Sequence, residues 1–314
     1  MRKLRIIIPQ RMEGERLDVA LAQMLPEFTR SKITNWIKSG QAIISKRIFR
    51  PKDKAIGNEI IDLTISQNQN STWQAENIQI NIVFEDEDII VINKDAGLVT
   101  HPGPGNWNGT LANALLSYDP ELKKLDRAGI VHRLDKNTSG LMVVARNQKT
   151  QKYLVSQLQK HLVLREYSAI VYGHMISGGT INQAIGRDPK DRLKQAVIRN
   201  GREATTHYRI IDQFKSHTHV KAILETGRTH QIRVHLSHIG HALIGDSVYG
   251  GKLRYPKKAS EDLKRELFNF KRQALHSRKL SLQHPESGEL MSWKIPLPKD
   301  MLSLLKIFNK FDKI

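Results

Sequence analysis

Residues 67–79 read Gln-Asn-Gln-Asn-Ser-Thr-Trp-Gln-Ala-Glu-Asn-Ile-Gln, a polar run with neither helical nor strand period. It carries too little apolar surface for a core element, so it predicts a flexible linker that divides the chain. At 314 residues the chain is also long for one hydrophobic core. Two units are therefore expected, a small one over residues 1–66 and a larger one over residues 80–314.

In the small unit, Leu17, Leu21, Met24 and Leu25 recur at helical spacing until Pro26 stops the turn. Thr29 or Ser31 then offers an N-cap to a second helix. Ile33, Trp36 and Ile37 form its apolar stripe, and Gly40 ends it. Arg30, Lys32 and Lys38 fall on its polar side. Strands are expected over residues 42–44 and 59–65, with Ile61, Leu63 and Ile65 on one face of the second. Lys46, Arg47, Arg50, Lys52 and Lys54 lie between them and give this α/β module a basic edge. Its Arg16-Leu17-Asp18, Thr29-Arg30-Ser31-Lys32 and Ile37-Lys38-Ser39-Gly40 runs resemble the S4 RNA-binding domain. That resemblance implies RNA contacts from Arg30, Lys32, Lys46 and Arg47. Asp18 also has a plainer role open to it, as a dipole or capping partner in a first helical turn.

In the larger unit, residues 82–84 and 89–93 read as paired strands around an acidic turn. Thr110 caps a helix carrying Leu111, Ala114 and Leu115. Residues 141–145 are unbroken apolar and suit a strand covered on both faces. A helix is expected over residues 148–162, and strands over 167–172, 205–212 and 219–225. Strand and helix do not alternate regularly, which argues against a doubly wound parallel sheet. The expected fold class is α+β: a mixed, mostly antiparallel sheet with flanking helices, plus the small N-terminal module.

Charge narrows the function. Fifty Lys and Arg oppose thirty-one Asp and Glu, for a net charge of +19 and a pI near 10.0. Such a field draws polyanions by charge pairing and counterion release, which places nucleic acid ahead of an undirected basic surface. The absence of cysteine excludes disulfides and thiolate metal sites. The first apolar run stops at Pro9, too short for a signal peptide, and no segment approaches membrane-spanning length. A cytoplasmic protein without a membrane partner is expected.

Three segments concentrate reactive side chains. The first is residues 129–141, where His132, Arg133 and Asp135 sit between two apolar runs and Gly140 permits a sharp turn. Asp135 on such a loop is either a capping residue or part of a site. The second holds Arg165 and Tyr167, with Tyr167 sharing a strand face with Ala169 and Val171. A tyrosine there is more often core than catalytic. The third runs from Leu224 to Gly250. Gly227 turns, Thr229 can cap a helix to Ile239, and Ile232, His235, Leu236 and Ile239 face the core. Arg233 lies near the start of that helix, where the dipole repels a cation, so a carboxylate partner is expected.

His-Arg-Leu-Asp followed by Gly-Leu, with Gly-Arg-Thr-His-Gln-Ile-Arg-Val-His downstream, resembles the RluA-type pseudouridine synthases. Residues 101–106, 165–167, 174–175, 273–276 and 296–298 extend the likeness along essentially the whole chain. It implies that Asp135 is the catalytic carboxylate, Tyr167 the active-site tyrosine and Arg233 the partner of Asp135. It implies base flipping by Arg133 and RNA contacts from His132 and Arg228. It further implies a substrate in large-subunit (23S) ribosomal RNA or the assembling large subunit, within the helix 69 stem-loop. No cofactor, metal or obligate protein partner is expected, and the chain is expected to be a monomer. Many members have Lys at the place of Arg165, and Asn137 replaces a common Asp; both changes imply tuning rather than loss.

Two other functions fit parts of the sequence. A non-catalytic RNA-binding assembly factor explains the charge and the S4-like module. A metal-dependent hydrolase is suggested by His230, His235, His238 and His241, whose spacing lacks the same-face pair of zinc hydrolase helices.

Overall fold

The computed structural model describes residues 2–26, 28, 30–40, 42–44, 47–65, 73–103, 105–191 and 193–312. The chain divides into two compact units, Met1–Asn70 and Ser71–Ile314.

The first unit contains strand β1 (Arg2–Ile7), helices α1 (Leu17–Met24) and α2 (Arg30–Lys38), and strands β2 (Ala42–Ile44), β3 (Arg47–Ile48) and β4 (Ile60–Ile65). The strands form one antiparallel sheet in the order β1-β4-β2-β3. Strand β1 occupies the basic N-terminal run, for which no strand was expected; its partner, β4, comes from far along the unit. Leu17, Leu21, Ile33, Trp36, Ile37, Ile61 and Leu63 close the core, as their spacing predicts. Asp18 is buried and accepts hydrogen bonds from Arg16 and from Arg30, the latter at 3.0 and 3.2 Å. Burial alone would raise its pKa; the two guanidinium partners outweigh that and lower it. Arg30, expected at an RNA surface, thus joins the two helices through Asp18 while its side chain stays half exposed. Lys32 lies in α2 and Arg47 in β3, and Lys46 lies outside the described residues.

The second unit is built on a nine-stranded sheet among the described residues. Its elements begin with β5 (Asn81–Glu85), β6 (Ile89–Lys94), α3 (Leu111–Tyr118), β7 (Ser139–Ala145), α4 (Gln148–Gln159) and β8 (Leu164–Tyr172). Then come β9 (Gly179–Asn182), β10 (Ile185–Arg187), β11 (Gln195–Val197), β12 (Thr205–Gln213), β13 (His217–Leu224) and α5 (Gln231–His238). Helix α6 (Glu261–Asn269), β14 (Leu275–Gln283), β15 (Leu290–Lys294) and α7 (Lys299–Phe311) complete it. The sheet order is β5-β6-β7-β14-β8-β13-β12-β9, with β15 on β14, and β10 pairs β11 separately. All of its pairings are antiparallel except the short β7–β14 contact, so the fold is α+β with a mixed, mostly antiparallel sheet.

The central strands are covered on both faces. Met142 and Val144 of β7 enter one core, while Leu141, Val143 and Ala145 enter another. In β8, Tyr167, Ala169 and Val171 face the first core, whereas Ile170 and Tyr172 pack with Leu263, Met301 and Phe308 of α6 and α7. Thr110 caps α3 reciprocally with Asn113.

Residues 73–79, expected to be flexible linker, lie along the second unit. Trp73 packs on its main core, Glu76 accepts the Gly109 N–H, and Asn113 donates to the Gln74 carbonyl at 2.7 Å. The Glu76 side chain bonds to the turn before α3, and the backbone of Gln74 and Glu76 bonds to Asn113 of α3.

Gly140 lies where β7 meets β14, at φ +116°, with the Ser277 carbonyl 2.2 Å from where a Cβ would stand. The close approach of two backbones requires glycine here. Gly140→Ala should destabilise the second unit by about 2–4 kcal/mol, from strained φ and overpacking together. Urea unfolding checks it, and an unchanged midpoint would contradict it.

Candidate active site

The loop between the apolar run at Ile130 and β7 carries Asp135, and hydrogen bonds from several segments hold it. Thr100 donates to the Leu134 carbonyl at 2.8 Å. The Lys136 carbonyl accepts from Gly97 N–H and from Lys94 Nζ, which also reaches the carbonyls of Asp95 and Leu98. Burial lowers the Lys94 pKa to about 7, against the opposing pull of Asp135. Thr138 N–H returns to the Asp135 carbonyl, and Gln273 donates to the Thr138 hydroxyl. Asp135 is therefore held through its backbone on both sides.

Its side chain meets α5. Arg233 Nη1 donates to Asp135 Oδ2 at 2.9 Å. The same guanidinium donates from Nε and Nη2 to both oxygens of Asp246, at 2.7 and 2.9 Å. Asp246 also accepts the N–H groups of Val248 and Tyr249, and its side chain is fully buried. Burial would raise its pKa, but Arg233 outweighs that and lowers it. Arg233 also lies 5.0 Å over the Tyr249 ring. The expected carboxylate partner of Arg233 is thus present twice. Asp246 falls within the third reactive segment, but no spacing rule singled it out.

Entry into α5 differs from expectation. The N-cap is His230, not Thr229; it is left-handed at φ 57° and makes no side-chain cap bond. Gln231 takes over: its Oε1 accepts from Thr226 Oγ1 and Arg228 N–H, and its Nε2 donates to Thr205 and Thr206. His230 Nδ1 pairs with the Tyr249 hydroxyl at 2.8 Å, which itself accepts the Gln195 N–H. His230 Nε2 lies 3.8 Å from Asp135 Oδ2. Burial lowers the His230 pKa, so the ring is neutral there. His235 bonds to Thr206 and Gln183, and His241 to the Tyr172 carbonyl, so these histidines do not converge on a common point.

Asp135 opens into a cavity of about 490 Å³ lined by Arg127, Arg133, Arg165, Tyr167, Arg228 and Arg233, among others. Five arginines against a single carboxylate give its lining an excess of positive charge, which favours anionic groups. Asp135, Tyr167, Arg233, Arg133, His132 and Arg228 all line it. Tyr167 is buried on β8, opposite Ala222 of β13 and Ser277 of β14. Burial raises the pKa of its phenol, which Arg165 and Ser277 partly offset, so the hydroxyl stays protonated. Arg133 is exposed at the rim, and Arg228 donates to the Glu203 carbonyl. His132, expected to touch RNA, accepts the Val143 N–H at 3.1 Å, and burial pushes its pKa down to about 3. It is neutral and tied to β7, so it brings no positive charge to a phosphate.

Residues 88–238 match the RNA pseudouridylate synthase family. The chain is 50% identical over 298 residues to ribosomal large subunit pseudouridine synthase D of Haemophilus influenzae, covering 95% of this chain and 92% of the relative. It is 48% identical over 303 residues to the protein of that name from Pseudomonas aeruginosa, covering 96% and 95%. The chain belongs to the RNA pseudouridine synthase family. Among solved structures, human RNA Pseudouridylate Synthase Domain Containing 4 matches with a TM-score of 0.57 at 26% identity, over 73% of this chain and 93% of that one. Being a pseudouridine synthase, it is an enzyme and an isomerase, which removes the non-catalytic reading; the histidine geometry gives no support to the hydrolase.

Two predictions follow from this pseudouridine synthase site. Asp246→Asn leaves Arg233 underpaired in a buried position and should cost about 3 kcal/mol of stability in urea unfolding. The second concerns acid. Burial pushes His101, His132 and His276 down to about 4, 3 and 4. Between pH 6.5 and about 4 the unfolded chain binds these protons and the folded chain does not. Stability should therefore fall as pH falls through that window, by up to about 1.4 kcal/mol per pH unit per histidine. A slope that His132→Asn leaves unchanged would contradict the His132 share.

Proposed function

We propose that this enzyme isomerises uridines of large-subunit (23S) ribosomal RNA in the helix 69 stem-loop, with Asp135 as the catalytic carboxylate. The observation that carries this reading is the single carboxylate of an arginine-lined cavity, held by Arg233. The target rests on the relatives, which are named for the ribosomal large subunit.

Isomerisation breaks N1–C1′, turns the uracil and joins C5 to C1′. Atoms and electrons balance within the nucleotide, so neither redox cofactor nor energy source is needed. The target must leave its stack, at a cost of a few kcal/mol. Arg133, exposed at the rim, fills the gap with a planar guanidinium that also contacts phosphate. Asp135 Oδ2 is held by Arg233, and Oδ1 accepts no hydrogen bond from a described residue. Oδ1 is thus the reacting oxygen, whether it attacks C1′ or takes a sugar proton. Tyr167 lies against the uracil ring as a neutral phenol, which suits a hydrogen-bond donor better than a base. The small unit serves as an S4-like RNA-binding module whose contacts include Lys32, Lys46, Arg47 and the open side of Arg30. Arg228 contacts the RNA backbone at the cavity. The enzyme works as a monomer in the cytoplasm.

Asp135→Asn should abolish tritium release from C5-labelled ribosomal RNA while affinity for the RNA stays within about threefold. Retained turnover would sink the assignment. Mapping pseudouridines in ribosomal RNA from a deletion strain tests the target.

A further inference from the structure

Of the arginines lining the cavity, Arg165 and Arg233 are buried, with 6% and 5% of their surfaces exposed. Arg233 has two carboxylates. Arg165 has none within ion-pair distance among the described residues. Its Nη2 donates to the Glu225 carbonyl at 2.9 Å, and its Nε is buried without a hydrogen-bond partner. The position is built for it: a Cβ on Gly227 would stand 2.6 Å from Arg165 Nη1, so glycine makes the room. Arg165 shares its strand face with Tyr167, two residues on, and both line the cavity. Burial lowers its pKa without discharging it.

A desolvated cation without an anion is an incomplete site, and the missing charge must come with the substrate. Phosphates meet the more exposed Arg127, Arg133 and Arg228 first. Uracil is neutral in uridine. When N1–C1′ breaks, the bonding pair stays on the ring, and the uracil becomes an anion with charge spread over N1, O2 and O4. This rests on the reading of Asp135 as the group that reacts at the sugar, and it holds for both of its routes.

We infer that Arg165 is a catalytic residue that stabilises the uracil anion between cleavage of N1–C1′ and formation of C5–C1′. The pair returns to C1′ through C5 as Asp135 gives up its bond to C1′ or returns the sugar proton it took, the C5 proton leaves, and N1 gains a proton. Arg165 meets this charge only after cleavage begins, so it favours the transition state over bound uridine.

Arg165→Met and Arg165→Lys test this in single-turnover reactions at saturating RNA. The substrates are unmodified full-length large-subunit ribosomal RNA transcribed with uridine or with 5-fluorouridine. The readout is rearranged nucleoside after nuclease digestion. Fluorine at C5 makes the departing ring a more stable anion. With uridine, Met should slow the reaction about 10²–10³-fold, with RNA affinity within about threefold, and Lys should recover at least about tenfold of that. With 5-fluorouridine the Met deficit should shrink at least about tenfold. An equal deficit with both bases, as a folding defect would give, overturns the inference, and so does a loss confined to affinity. Where the wild-type product maps tests the helix 69 target separately, because the variant ratios do not depend on which uridine reacts.

Discussion

The site depends on one guanidinium shared by two carboxylates. Arg233 comes from α5, Asp135 from the loop before β7, and Asp246 from the turn after α5. A buried arginine with a single partner that must also react would be a poor anchor. Asp246 takes two of its donors in a bidentate pair and is itself held by two backbone N–H groups. This leaves Nη1 to orient Asp135 without consuming the second oxygen. The arrangement also answers the unfavourable placement of a cation in the first turn of a helix, since the carboxylates neutralise it.

Around that pair the cavity is graded. Arg127 and Arg133 are exposed, Arg228 is half-buried, and Arg165 is buried beside Tyr167. Outer arginines suit a phosphate backbone that is always charged. A buried arginine without a counter-ion suits a charge that forms and disappears within a reaction. The long sheet makes this possible, because β8 carries Arg165 and Tyr167 on one face and buries Ile170 and Tyr172 against α6 and α7 on the other.

Histidines show how position overrides residue type. His132 lies three residues from Asp135, yet its ring accepts a strand N–H and is neutral. His230 replaces Thr229 as N-cap because Gln231 satisfies the turn that a threonine hydroxyl was expected to satisfy. In both cases low dielectric, not proximity in sequence, decides the charge state.

Local pattern was enough for much of this. Leu17 and Leu21 in one helix and Ile33, Trp36 and Ile37 in the next, the Thr110 cap, and the apolar run of β7 are set by neighbours a few residues apart, so their elements were legible, as was the α+β class. The motif spacing likewise marked Asp135, Tyr167 and Arg233, through family resemblance more than through chemistry. Long-range pairing was not legible beyond the Arg233–Asp135 contact that the resemblance implied. Strand β1 exists because β4 lies beside it, residues 73–79 are ordered because α3 accepts them, and Arg30 turns to a buried Asp18. Asp246 and the solitary burial of Arg165 emerged only when segments far apart in the chain met. Sequence determined which elements form and which residue types reach the site; tertiary structure decided which charges are paired and which are left alone, because pairing depends on distance and desolvation that no single segment contains.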